Sequence, residues 1–235
     1  MQVPDLPLYE YVLKKYSAAF FMGLQEPLEG NPPVVFAQNR AVSQDLINSI
    51  LEYGSIIHSG IKRDDINVIL ELGAGYGRNA FVFLKALPRA KYIIVDMFPA
   101  LYIARRYLSN QFPDRKIFQF REFDSFLQVK KEFEESDLIF LMPHQLRLLP
   151  ERCIDLFINI SSFQEMIKSQ IDYYFQEVAR LVKGYFYFKQ WKESKIPSDN
   201  ILIKESDYPV RKEWAKIFSR ECEVQTRFFE ALYKL

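Results

Sequence analysis

The chain has 235 residues, 49% hydrophobic and 26% charged, a balance that reads as globular and soluble and is enough for one α/β domain with an N-terminal extension. Lysine and arginine total 31 against 30 acidic residues, so no basic excess exists to draw a phosphate backbone, and no nucleic-acid partner is expected. Two cysteines and two histidines are too few for a disulfide framework or a structural zinc site, no apolar run approaches the roughly 20 residues of a membrane span, and Met1-Gln-Val-Pro-Asp5 lacks a basic stretch followed by an apolar core; no metal and no membrane span are expected, and the cytoplasm is the expected compartment.

Residues 1–64 read as a helical extension or lid without a strong strand. Tyr9–Leu24 and Ser43–Ile61 have helical character, and the segment Pro27–Pro33 between them is rich in turn formers. The main domain is expected to span residues 65–235. It opens on Val68–Leu72, an apolar strand that enters the turn Gly73-Ala-Gly75-Tyr-Gly77. A helix follows with Phe81, Leu84 and Leu87 on one side, and a second strand, Tyr92–Val95, stops at Asp96. Pro99 suits the first position of another helix, which ends by Phe112-Pro113.

Ile117–Phe120 is a short strand candidate and Asp124–Glu135 a charged helix. Asp137–Met142 is the third clear strand, and Pro143-His144-Gln145-Leu146 leaves it. Cys153–Ile160 is the fourth. The spacing then predicts a helix from Ser162 to Val182 ended by Gly184, with Tyr185–Phe188 as the fifth strand. Residues 192–207 read as a polar loop, Tyr208–Ser219 as a helix, and Arg227–Tyr233 as a last strand whose pairing stays open, an antiparallel place at or near an edge being one option. Strands alternating with helices imply an α/β, Rossmann-like, mostly parallel sheet with helices on both faces. The abundance of Phe (21) and Tyr (14) reads as an aromatic core.

The unit Val68–Asp96 carries the chemistry. A strand, a glycine turn, a helix and a parallel strand ending in an acid bind the adenosine half of a cofactor at the carboxyl ends of the strands. The dinucleotide pattern wants a third glycine where this chain has Arg78; the glycines instead fall at 73, 75 and 77, with Glu71 before them. Asp96 can accept hydrogen bonds from two vicinal ribose hydroxyls, or serve as a helix N-cap ahead of Pro99. Glu71 can support the cofactor site or lie buried against backbone N–H groups. In Ser162-Phe-Gln-Glu165 the glutamate is either a capping-box residue or a base at the mouth of the site. His144 is a second candidate base.

The motif Glu71-x-Gly73-x-Gly75-x-Gly77 with Asp96 downstream resembles the class I S-adenosylmethionine-dependent methyltransferases. Residues 66–233 further resemble a sugar O-methyltransferase group, through ELGAGYGRNA (71–80), IIVDMFPALYIARRYLS (93–109), DLFINISSFQEM (155–166), FYFKQW (186–191) and FFEALY (228–233). The resemblance implies S-adenosyl-L-methionine as cofactor, held by Glu71, Gly73, Gly75, Gly77, Arg78, Asp96, Met97, Gln145 and Asn159. Asp96 would take the ribose and Gln145 the adenine amino group. Glu165 and then His144 would act as base toward a small-molecule or glycan hydroxyl, near Asn159, Ser161, Lys189 and Trp191. Self-association into a homo-oligomer stays open. Two rival readings are an NAD(P)-dependent oxidoreductase, which Arg78 and the lack of a suitably placed Tyr-x-x-x-Lys pair disfavour, and a methyltransferase-like binding domain without turnover.

Overall fold

The computed structural model describes residues 5–16, 23–196 and 201–235. The chain begins with α1 (Asp5–Lys15), a hairpin of β1 (Val35–Ala37) and β2 (Arg40–Val42), and α2 (Gln44–Ile57). Ser43 caps α2 by accepting from the Leu46 N–H at 2.9 Å. The extension holds, besides its helices, only this hairpin of two three-residue strands among the described residues. The expected helix Tyr9–Leu24 is seen as α1 up to Lys15; residues 17–22, which it would have included, lie outside the described residues.

The α/β part follows as β3 (Val68–Leu72), α3 (Arg78–Ala86), β4 (Lys91–Val95), α4 (Ala100–Gln111), β5 (Ile117–Phe118), α5 (Lys130–Glu135), β6 (Leu138–Leu141), β7 (Ile154–Ile160), α6 (Lys168–Leu181), β8 (Val182–Trp191), β9 (Glu193–Ile196), β10 (Ile201–Lys204), β11 (Ala215–Glu221) and β12 (Phe228–Lys234). An eight-stranded sheet has the order β11-β12-β8-β7-β3-β4-β6-β5. From β5 to β8 every pairing is parallel, and β12 runs antiparallel to both β8 and β11. Parallel strands here are apolar on both sides because helices cover both faces. On one face Ile69, Ile94, Ile158 and Tyr187 pack with residues of α1 to α4 in a single apolar cluster, so the N-terminal elements share their core with the sheet. On the other, Leu70, Ile93, Phe157 and Phe186 pack with α5, α6 and Trp214.

Four expected elements differ from the structure. Tyr208–Ser219 is not a helix: Ala215–Glu221 forms the edge strand β11, because β12 offers it backbone partners along its length apart from a register shift at Ile217. The helix expected from Ser162 starts at Lys168, after a 3₁₀ turn over Phe163–Glu165. Sheet-edge amides intercept that first turn: Asn159 Oδ1 accepts from the Phe163 N–H and Gln190 Oε1 from the Gln164 N–H. The polar stretch 192–207 holds the β9–β10 hairpin rather than only loop; residues 197–200 of that stretch lie outside the described residues. Asp124–Glu135 is helical only in its last part, as α5 after a 3₁₀ turn over Phe126–Gln128.

Gly184 does not end α6 but lies within β8, and a Cβ there would stand 2.3 Å from the Asp155 carbonyl oxygen. The neighbour is backbone, so the strand pair itself must shift. Gly184→Ala is expected to lower unfolding stability by about 1–3 kcal/mol, read from urea denaturation.

Candidate functional site

The carboxyl ends of β4, β3, β7 and β8 meet along one edge of the sheet. At the end of β3 the backbone turns through Gly73, Gly75 and Gly77, all with positive φ. Gly73 donates its N–H to the Val95 carbonyl at 2.8 Å, and a Cβ on it would reach within 2.3 Å of Ser162 Oγ. Gly75 has φ +57° and nothing within 4 Å of where its Cβ would be, so its backbone borders open space. Gly77 caps α3 and sits against Leu108 of α4, 2.9 Å from a would-be Cβ. Only glycine satisfies both the left-handed backbone and the close approach at positions 73 and 77.

Asp96 lies directly opposite this turn, at the exit of β4. Its Oδ2 accepts from the Gly75 N–H and its Oδ1 from the Met97 N–H, each at 2.7 Å. Each oxygen keeps lone-pair capacity toward the edge. The cap residue of α4 is Pro99, so Asp96 is bound to the glycine turn rather than capping that helix. Met97 is 65% exposed beside it.

Behind the turn, Glu71 is fully buried. It accepts from Asn79 Nδ2 at 2.9 Å and from the Tyr92 hydroxyl at 2.8 Å. Its partners are thus side chains, not the backbone N–H groups expected of a buried carboxylate here. Burial pushes its pKa up to about 7 against the opposing pull of Asn79, Tyr92 and Arg78.

Arg78, expected at the cofactor, is engaged by α2. Its Nη1 lies 2.9 Å from Glu52 Oε2 and 2.6 Å from Ser49 Oγ, so its guanidinium faces α2. Lys189, 5% exposed at the end of β8, contacts Glu52 Oε1 at 2.9 Å. Glu52, 2% exposed, therefore takes one cation from the start of α3 and one from the exit of β8. Burial alone would raise the Glu52 pKa; the two cations outweigh it and hold the carboxyl below the ordinary range. Sequence reasoning missed Glu52. The available signal was its place as the only charged residue between Leu46 and Ile57, in a helix otherwise dominated by apolar side chains.

Two amides expected to meet the cofactor are spent on the scaffold. Asn159, fully buried, donates to the Leu72 carbonyl at 2.9 Å and accepts from Phe163 N–H and from Gln190 Nε2. Gln145, fully buried, accepts from the Met142 N–H and donates to the Arg121 carbonyl, both at 2.9 Å. Both positions hold the sheet-edge turns in shape from inside. Glu165 is exposed on the 3₁₀ turn after β7, and Ser162 provides no side-chain cap, so the capping box is not formed. No described residue hydrogen-bonds or ion-pairs with the Glu165 carboxylate. His144 is exposed after β6, with Nε2 at 3.3 Å from Glu122 Oε2. Trp191 is half-exposed at the exit of β8, edge-on to Phe228 at 6.2 Å. Among the described residues no helix is long and apolar enough to cross a membrane, and no group of three or more His, Cys, Asp or Glu could hold a metal ion.

No family model matches the chain, and no curated protein matches its sequence. Solved structures share its fold. A candidate sarcosine dimethylglycine methyltransferase of Galdieria sulphuraria aligns over 87% of this chain and 94% of its own, with 12% identity and a TM-score of 0.56. The PH0226 protein of Pyrococcus horikoshii covers 82% and 92%, with 15% identity and a TM-score of 0.55. An S-adenosylmethionine-dependent methyltransferase of Leishmania major covers 97% and 83%, with 13% identity and a TM-score of 0.53. The chain has the Rossmann-like fold of the class I methyltransferases.

Two measurements test the buried charges. Glu52→Ala strands two cations in the core and should cost about 3–5 kcal/mol, seen as a lower urea midpoint. For Glu71 the folded pKa of about 7 lies above the ordinary 4.5. The folded state therefore binds the extra proton between these values, and stability falls as pH rises through that window. Glu71→Gln should flatten the stability difference between pH 5 and pH 7.5, measured by denaturation at both pH values.

Proposed function

We propose that the chain is an S-adenosyl-L-methionine-dependent O-methyltransferase whose acceptor is a hydroxyl of a sugar or glycan precursor. The observation that carries the cofactor is Asp96: its carboxylate is pinned to the glycine turn, beside open space over Gly75, with acceptor capacity left on both oxygens. That geometry suits a pair of vicinal ribose hydroxyls. The N-terminus of α3 has no side-chain cap, so its backbone N–H groups and the helix dipole suit the cofactor's carboxylate, a role its Arg78 side chain does not take. Exposed Met97 suits the adenine face. The likeness of the fold to methyltransferase structures supports the same reading.

When bound, the cofactor supplies a methyl group on a sulfonium centre, already a good electrophile. The protein's part is to orient the acceptor oxygen in line with that methyl group, exclude water, and accept the hydroxyl proton. Glu165 suits the last task because it follows the exit of β7, is exposed, and is not engaged as a cap. His144 is second in order, since it already faces Glu122.

Calorimetry with S-adenosylhomocysteine tests the reading. The wild-type chain should bind it, and Asp96→Ala should weaken binding about 10- to 150-fold, the equivalent of about 1.5–3 kcal/mol for hydrogen bonds to a charged group. No binding by a folded wild-type chain would overturn the assignment.

A further inference from the structure

The turn that leaves β6 and the first half of α6 face each other across a cleft of about 540 Å³, within the range of small-molecule sites. One wall carries Pro143, His144 and Arg147; the other carries Gln170, Tyr173 and Tyr174. The spacing makes each wall one coherent surface. His144 and Arg147 are three apart on a 3₁₀ turn, where such side chains eclipse. Gln170 lies three and four residues before the two tyrosines on α6, so all three share a helix face.

The two walls supply different chemistry. The tyrosine rings stand edge to face at 5.2 Å, and Tyr173 remains 38% exposed. Arg147 is exposed, and no described carboxylate lies within ion-pairing distance of it. Such an arginine, set beside an aromatic wall, matches a ligand that carries an oxyanion and an apolar ring face.

Resting on the methyltransferase reading above, we propose that this cleft binds the acceptor, and that the acceptor is an anionic saccharide. Arg147 takes its phosphate or carboxylate, and Tyr173 packs on the sugar ring. His144 and Gln170 border the same space and offer hydrogen bonds to hydroxyls.

The test uses the full chain saturated with S-adenosylhomocysteine and four probes by calorimetry or ligand-observed NMR: glucose 1-phosphate, glucuronate, glucose and inorganic phosphate. At least one anionic sugar should bind about tenfold or more tighter than both glucose and phosphate; which one does so separates phosphate from carboxylate recognition. Arg147→Ala should remove most of that preference, and Tyr173→Ala should weaken the anionic sugar without altering S-adenosylhomocysteine affinity. Both side chains are exposed, and the retained cofactor-product affinity reports on folding. Binding of none of the sugars, equal binding of all four probes, or an unchanged preference in Arg147→Ala would overturn the proposal. If S-adenosylhomocysteine binds and the sugars do not, only the acceptor cleft falls. If S-adenosylhomocysteine itself does not bind, the methyltransferase reading falls, and the acceptor assignment with it.

Discussion

One buried carboxylate organises the molecule. Glu52 comes from the N-terminal part of the chain, yet its two oxygens lie between Arg78, at the foot of the glycine turn, and Lys189, at the exit of β8. Three segments far apart in sequence are thereby fixed relative to one another. A buried ion group of this kind is no large net source of stability, because desolvation offsets most of the attraction. Its contribution is specificity: any packing of α2 that misplaces Glu52 leaves two cations buried without a partner. The glycine turn and β8 are thus held by the extension as well as by the sheet. Arg78 is committed to that task through Glu52 and Ser49.

A second tier of fixation comes from neutral amides. Asn159, Gln190, Gln164 and Gln145 are buried at the carboxyl edge, and each bonds to backbone or to another amide there. Loops at strand ends have no ladder to satisfy their N–H and C=O groups, so side-chain amides replace it. Asp96 does the same for the glycine turn, but from a half-exposed position that leaves part of its carboxylate facing outward. The edge is rigid from beneath, and positioning by a rigid support is what an in-line transfer demands of a protein.

This division explains which parts were legible in the sequence. The strands β3, β4, β6, β7 and β8 are near-continuous apolar runs, and the glycine turn with Asp96 is a local pattern; neither depends on distant residues. β12 was legible as a strand for the same reason, whereas its antiparallel pairing depends on β8 and β11. What failed depended on tertiary partners. Ser162–Glu165 has the local look of a helix start, but Asn159 and Gln190 take its first N–H groups and the helix begins later. Residues 215–221 have no pattern that separates edge strand from helix until β12 is beside them. Gln145 and Asn159 have the right chemistry for a ligand, yet polar side chains at strand ends serve the backbone as readily as a cofactor. Glu52 and Arg78 show the same limit for charge: a lone acid in an apolar helix announces a partner without naming it.

The charges of the carboxyl edge fall into two populations. Along the face covered by α2 and α3, Glu52, Arg78 and Lys189 are buried and mutually paired, while Glu71 is shielded by Asn79 and Tyr92 and shifted toward its neutral form. A ligand reaching that interior would have to break a charge-assisted contact and desolvate what remained, a cost of several kcal/mol before any gain. On the outer rim, Glu165 and Arg147 lie exposed and without an ion pair among the described residues, and Asp96 keeps part of its acceptor capacity. These groups can exchange water for ligand without dismantling the fold. Groups open to solvent without loss of a core contact therefore lie on that rim rather than inside.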